Sequence, residues 1–371
     1  MATLPRPTRI EVLGLLAILA LAALTRLPGL DARGAFDADQ GHDMLVLTGM
    51  LHGDIPLLGP PTSIGTFHHG AVYYYLLAPA VALSGPDPVA VMGWIALLGI
   101  GAVAATWWLA RLIGGPGAAV AAGVLAAVSP SGIDESTFIW NPNLIPVAAA
   151  LAFAGALHAW QTRSPRWWLL AATGAMVTMQ CHVLGVVVLP PLAGAYLWDV
   201  RRQRHEGGAV RPLVRAGLGG LAIIAASYVP LLVHELGNDF SEARAILDYL
   251  AGGGRAASAG LLERVALVGL RSVTWPLTGL ITDRPTVSIV VAVAAVTLMA
   301  IAAAGRVPHR VGVRWLLATL AWSVVALAAF APSLAVVTPG LPNDHYHAYL
   351  DPLVIALTGA GLARLAGLGT R

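Results

Sequence analysis

Along this chain, apolar segments long enough to approach a bilayer's width alternate with short polar loops. A spanning helix needs about 20 apolar residues. Ten segments fit that description: 10–30, 88–110, 116–131, 143–160, 167–181, 184–199, 213–234, 286–304, 315–334 and 348–365. As a single helix, the run 166–199 would be about 50 Å long, well beyond a hydrocarbon core of about 30 Å. Its interruption at His182-Val183-Leu184-Gly185 predicts a hairpin. Residues 71–84 pose the opposite problem, because such a helix is only about 21 Å long. The pattern predicts a membrane-embedded half-helix that returns to its starting side. In 40–52, Met44, Leu47 and Leu51 recur at helical spacing, which predicts a short amphipathic helix on the membrane surface.

The predicted fold class is therefore an all-α polytopic membrane protein: about ten transmembrane helices with outer-face juxtamembrane amphipathic helices. We read residues 1–371 as a single transmembrane domain, with no internal repeat. Composition agrees. The chain is 57% hydrophobic and 11% charged, against about 25% charged in soluble domains. The 22 basic residues are all arginine, and they sit mostly in short loops, where they act as topology signals rather than as a nucleic-acid surface. If 71–84 does not cross, Arg111, Arg163, Arg166, Arg201, Arg202, Arg204, Arg211, Arg306, Arg310 and Arg314 fall on the side of Arg6 and Arg9. That choice puts 15 arginines inside and 7 outside, with 15 of the 19 carboxylates outside. Both ends are then cytoplasmic, in a cell inner or plasma membrane. The outer loops are 31–87, 131–142, 235–285 and 335–347. The first apolar run lacks a small-x-small cleavage site and reads as an uncleaved helix. A lone Cys181 excludes an intrachain disulfide.

The chemistry-bearing residues lie in those outer loops. Asp37, Asp39 and Asp43 cluster just after the first span. Asp39 can cap a helix, and capping is compatible with catalysis. His68 and His69 precede Tyr73 and Tyr74, whose simplest reading is an interfacial aromatic belt. Glu135 is followed by Asn141-Pro142-Asn143, a break before the next span. His182 lies beside Gln180 at the outer end of a span. Asn343-Asp344-His345-Tyr346-His347 has a metal-like spacing, but nothing fixes further ligands. Walker A, GxGxxG, HExxH and GxSxG patterns are absent. Nucleotides are scarce outside a cell, so an enzyme working there needs an activated substrate that arrives through the membrane.

At these residues, over roughly positions 10–240, the chain resembles the GT-C glycosyltransferases of the family 39 type. These include the protein O-mannosyltransferases and the aminoarabinose transferase of lipid A. The resemblance rests on Asp37-Ala38-Asp39-Gln40, then His68-His69-Gly70-Ala71-Val72-Tyr73-Tyr74, the basic turn from Arg111 to Pro116, Ser129-Pro130, and Gln180-Cys181-His182. Where relatives carry Asp-Glu, this chain has Asp39-Gln40. His69 and His182 replace lysines, and Asn141-Pro142-Asn143 replaces an aspartate. The resemblance implies transfer of a sugar from a polyprenyl phosphate lipid to an acceptor hydroxyl at the extracytoplasmic face, with inversion. It implies Asp39 as base with Asp37 as helper. His182, His68 and His69, with Tyr73 and Tyr74, would hold the donor phosphate, reinforced by Arg255, Arg264 or Arg271. Asp43, Glu135, Asn141 and Asn143 would serve the acceptor or support the catalytic pair. No cofactor is certain; a divalent metal on Asp37 or Asp39 is the alternative source of positive charge. The lipid tail would lie beside the half-helix and the fifth and sixth spans. The competing readings are a lipid or solute transporter or flippase, which would need polar residues along mid-span, and an inactive scaffold in cell-envelope synthesis. The sugar, the prenyl length and the acceptor are not legible.

Overall fold

The computed structural model describes residues 6–62, 66–251, 259–279, 284–305, 309–331, 334 and 344–367. Among them there is no strand, only an isolated antiparallel bridge between Pro61 and His68. The first helix, α1 (Arg9–Arg26), opens with a capping box: the Thr8 hydroxyl accepts from the Glu11 amide, and the Glu11 carboxylate accepts from the Thr8 amide. Next come α2 (Ala38–Leu51), α3 (Val72–Ser84) and α4 (Pro88–Val128). Unbroken, α4 would be about 60 Å long. Gly115 takes φ 76°, which only glycine adopts readily, and Pro116 follows it. The break gives two antiparallel arms, with Gly123 beside Trp107 and Gly114 beside Ala118.

The chain continues through α5 (Pro130–Asp134), α6 (Ile145–Thr162), α7 (Arg166–Cys181), α8 (Leu189–His205) and α9 (Val210–Ser227). The expected hairpin is present: α7 ends at Cys181, and one tight turn over Val183–Val188 leads into α8. The segment read as one span over 213–234 is instead broken at Tyr228, and α10 (Val229–Gly237) restarts after it. Pro230, which has no N–H to continue the ladder, sits in the first turn of α10. The expected loop 235–285 is largely helical, with α11 (Ser241–Ala251) and α12 (Leu261–Thr278). The chain closes with α13 (Pro285–Ala303), α14 (His309–Phe330) and α15 (Asp351–Leu365).

Among the described residues, eight helices are long and apolar enough to cross a membrane. One of these is α4, whose two arms account for two expected spans; α7, with 16 residues, is the remaining short one. The buried centre is formed by α6 and α15. Small residues let the backbones approach there: Gly359 lies against the Ala122 backbone, and Gly174 against Ala148 and Ala152.

Polar contacts sort the helix ends into two groups. At one end Arg111 pairs with Glu11, Gln161 donates to the Leu112 carbonyl, Arg202 donates to the Trp160 carbonyl, and Arg163 pairs with Glu206. At the other, Arg26 donates to the Ala126 and Ala127 carbonyls, Gln40 to the Ile139 carbonyl, and Gln180 to Ser227. We call these the Arg111 end and the Asp39 end. Tyr73 reaches Asp43, and Trp94 of the first α4 arm donates to the Leu76 carbonyl. Both neighbours place α3 at the Asp39 end, so α3 does not cross.

Candidate active site at the Asp39 end

The turn that opens α2 divides its labour between two carboxylates. Asp37 is the N-cap, and its Oδ1 accepts from the Asp39 amide at 3.0 Å. Gln40 completes the box by accepting from the Asp37 amide at 2.9 Å, and its amide donates to the Ile139 carbonyl. The side chain of Asp39 takes no part in this cap; both aspartates are exposed. Asp39 lies in the first turn of α2, at the helix end that attracts negative charge.

One turn on, Asp43 is buried. Tyr73 and Tyr74 donate to its two oxygens at 2.8 and 2.7 Å. Burial raises the Asp43 carboxyl above the ordinary range, opposed by the Tyr74 and Tyr73 hydrogen bonds. These two hydroxyls fasten α3 to α2.

The histidines separate as well. His68 binds Glu242 twice, through its amide at 2.7 Å and its Nδ1 at 2.9 Å. Glu242 begins α11, and Glu235 caps that helix by accepting from the Glu242 and Ala243 amides. His69 and His182 instead lie against each other, with ring centroids 4.9 Å apart. Burial lowers His69 to about 4 and pushes His182 down as well, so both rings rest neutral. His182 also touches the rings of His345 and Tyr346, and His345 packs at a tilt against Trp140. The adjoining backbone is fixed by Gly70, whose amide donates to the Gln180 carbonyl at 2.8 Å.

Asn141 donates to the Cys181 carbonyl, and Asn143 to the Phe138 carbonyl. Both hydrogen bonds pin the loop before α6. Glu135 accepts from the Trp275 indole at 3.0 Å, and burial together with the Asp351 charge raises its carboxyl. Arg271 is committed: it donates to both oxygens of Asp344 at 2.9 and 2.7 Å and to the Leu334 carbonyl. It is therefore not a spare cation for phosphate, contrary to expectation. His347 Nε2 meets Asp344 at 3.0 Å, so the metal-like Asp344/His347 spacing serves an ion pair. Arg255 and Asn343 lie outside the described residues, and Arg264 is half-buried. Among the described residues no three His, Cys, Asp or Glu side chains converge as a metal site.

A cavity of about 300 Å³ opens where these elements meet, lined by His42, Val46, Leu57, His68, Tyr74 and His234. His42 stands one helical turn after Asp39 on α2. Neither Asp37 nor Asp39 hydrogen-bonds to an imidazole among the described residues. The sequence reading missed Glu242, Glu235 and His234. Each lies in the loop expected over 235–285 or just before it, and acquires meaning only through partners far away along the chain.

Residues 68–229 match the family model described as dolichyl-phosphate-mannose-protein mannosyltransferase. The fold is similar to the apo crystal structure of ArnT from Cupriavidus metallidurans, with a TM-score of 0.61 at 16% identity, covering 95% of this chain and 59% of that one. The undecaprenyl phosphate-bound form of ArnT gives 0.62 at 16% identity, covering 98% and 62%. AglB, the archaeal oligosaccharyltransferase from Archaeoglobus fulgidus solved with an inhibitory peptide and a dolichol-phosphate, gives 0.53 at 12% identity, covering 97% and 51%. The chain thus spans about three fifths of the length of ArnT. No curated protein matches it in sequence.

Proposed function

From the premise that this chain is an integral membrane protein with the GT-C glycosyltransferase fold, we propose that it moves a sugar from a polyprenyl phosphate to an acceptor hydroxyl, inverting the anomeric carbon. The site is the Asp39 end, which the arginine-rich opposite end turns away from the cytoplasm. The observation that carries this reading is the α2 turn. Asp37 and Gln40 hold it, and Asp39 is left with an exposed carboxylate one helical turn before His42, which lines a cavity together with His68 and His234.

In the reaction, the acceptor oxygen attacks C1 of the sugar and its proton passes to Asp39. The C1–O bond to phosphate breaks, and its electron pair leaves with the lipid phosphate. That phosphate gains charge and needs donors arranged in advance. His69 and His182 are suited to this as an adjacent pair of N–H donors. Burial keeps them neutral at rest, while an incoming phosphate favours their protonated form. Donor binding then takes up protons and weakens as pH rises. A divalent ion at Asp37 or Asp39 would supply the same charge and make transfer sensitive to chelation. The transporter reading asks for charge along mid-span, whereas the ion pairs described here gather at the two ends of the bundle.

The test is a pair of variants. Asp39→Asn should lower transfer by about 10²–10⁴-fold, the range for a lost general base. Asp37→Asn keeps a good N-cap and should retain transfer within a few-fold. Full transfer by Asp39→Asn, or equal loss in both variants, counts against the assignment.

A further inference from the structure

A second cavity, of about 610 Å³, lies between α6, α8 and α14 toward the Arg111 end. We propose that it binds an anionic glycerophospholipid of the adjoining leaflet, with the headgroup phosphate at Arg314 and an acyl chain among the tryptophans. The proposal does not rest on glycosyl transfer.

The walls are built in advance. Trp160, Trp198, Trp315 and Trp322 all line the cavity. Trp322 donates its indole N–H to the Val187 carbonyl at 3.0 Å. That carbonyl would normally accept from residue 190 or 191, but both are proline and have no N–H. The Pro190-Pro191 pair thus leaves an acceptor that holds the Trp322 ring in place. Trp315 donates to the Pro191 carbonyl at 3.2 Å, and Trp160 lies 4.6 Å beneath the Arg202 guanidinium. The Thr319 hydroxyl, the other polar side chain inside, is turned to the Trp315 carbonyl. The interior therefore offers a ligand apolar surface, and a Cβ placed on Gly194 would meet nothing within 4 Å.

The rim supplies the sign. Arg314 is exposed and lines the cavity, and among the described residues no acid does. Three carboxylates described near this end are already engaged: Glu11 by Arg111, Asp199 by Arg202 and Glu206 by Arg163. Arg314 is left to an outside anion, and arginine with tryptophan is the usual composition of the headgroup level. From Val311 to Trp322 the cavity follows α14 for about 16 Å. That is about half of an about 30 Å core, the depth of one leaflet. It accommodates a chain from one leaflet rather than a spanning partner helix.

The full chain is placed in phosphatidylcholine vesicles carrying a minor fraction of dibrominated phosphatidylglycerol or dibrominated phosphatidylcholine, and tryptophan emission is recorded. Half-maximal quenching should need about fivefold less brominated phosphatidylglycerol than brominated phosphatidylcholine, the factor for one arginine near an anionic surface. Arg314→Gln should bring the ratio close to one, and Arg314→Lys should keep it. Gly194→Leu fills the cavity and should remove the preference while cooperative unfolding is unchanged. A ratio near one in the unmodified chain would overturn the proposal. So would a preference that survives Arg314→Gln or a folded Gly194→Leu.

Discussion

The contact between Asp43 and the paired tyrosines makes a graded prediction. Asp43→Ala deletes the acceptor and leaves two buried hydroxyls, those of Tyr73 and Tyr74, without a partner. An unsatisfied buried polar group costs about 1–3 kcal/mol, so the substitution should destabilise by about 4 kcal/mol. Tyr73→Phe or Tyr74→Phe alone removes one hydrogen bond to a carboxylate, about 1.5–3 kcal/mol. The two losses converge on one carboxylate and should not add. Once both donors are gone, the buried carboxyl protonates rather than remaining an unpaired charge. The same logic gives a rescue: Asp43→Leu combined with both Tyr→Phe changes removes donors and acceptor together and should recover much of the loss. Unfolding of the purified protein in mixed detergent micelles, followed by tryptophan emission, ranks these variants. If Asp43→Ala stays within about 0.5 kcal/mol of the parent, as a surface exchange would, the reasoning fails. A triple variant no more stable than Asp43→Ala would also refute it.

Two further outcomes follow from the same end of the bundle. Asp37→Ala should cost about 1 kcal/mol of stability through loss of the α2 cap, read in the same micelle unfolding, whereas Asp39→Asn should leave stability unchanged. His69 is lowered from 6.5 to about 4 in the folded protein, so the unfolded chain binds the proton first. Stability is then complete above about pH 6.5 and declines by about 3 kcal/mol as pH falls toward 4. His69→Gln should flatten that part of an unfolding-against-pH series.

Much of the ladder was legible because lipid imposes a length on every crossing segment. The hairpin at His182 followed from length, the half-helix after Ala71 from length together with the sorting of the arginines, and the structure places α3 with both neighbours at the Asp39 end. The Gly115-Pro116 break was also visible as punctuation between two expected spans. The break at Tyr228 was missed because Val229-Pro230-Leu231-Leu232 continues the apolar run, and hydropathy does not register a lost N–H. At the site, the burial of Met44 and Leu47 was readable from spacing, whereas the cap expected at Asp39 is formed by Asp37, two residues earlier. The partners were not. His68 meets Glu242, Glu135 meets Trp275, and Arg271 meets Asp344 across long stretches of chain. Glu242 and Trp275 looked like ordinary loop positions, and His68, Glu135 and Asp344 stood out without showing what they pair with. Arg271 in particular read as an available cation, because sequence shows a charge but not what already neutralises it.

The most direct measurement of the central claim is release of sugar from a defined lipid donor. Purified full-length protein in vesicles is incubated with a panel of polyprenyl phosphate sugars, with and without EDTA, and the lipid products are followed by mass spectrometry. The account predicts that one donor is converted to free polyprenyl phosphate, that conversion is lost in Asp39→Asn, and that it falls as pH rises above neutrality. Conversion that proceeds unchanged in Asp39→Asn, or no conversion of any donor by a well-folded protein, would contradict it.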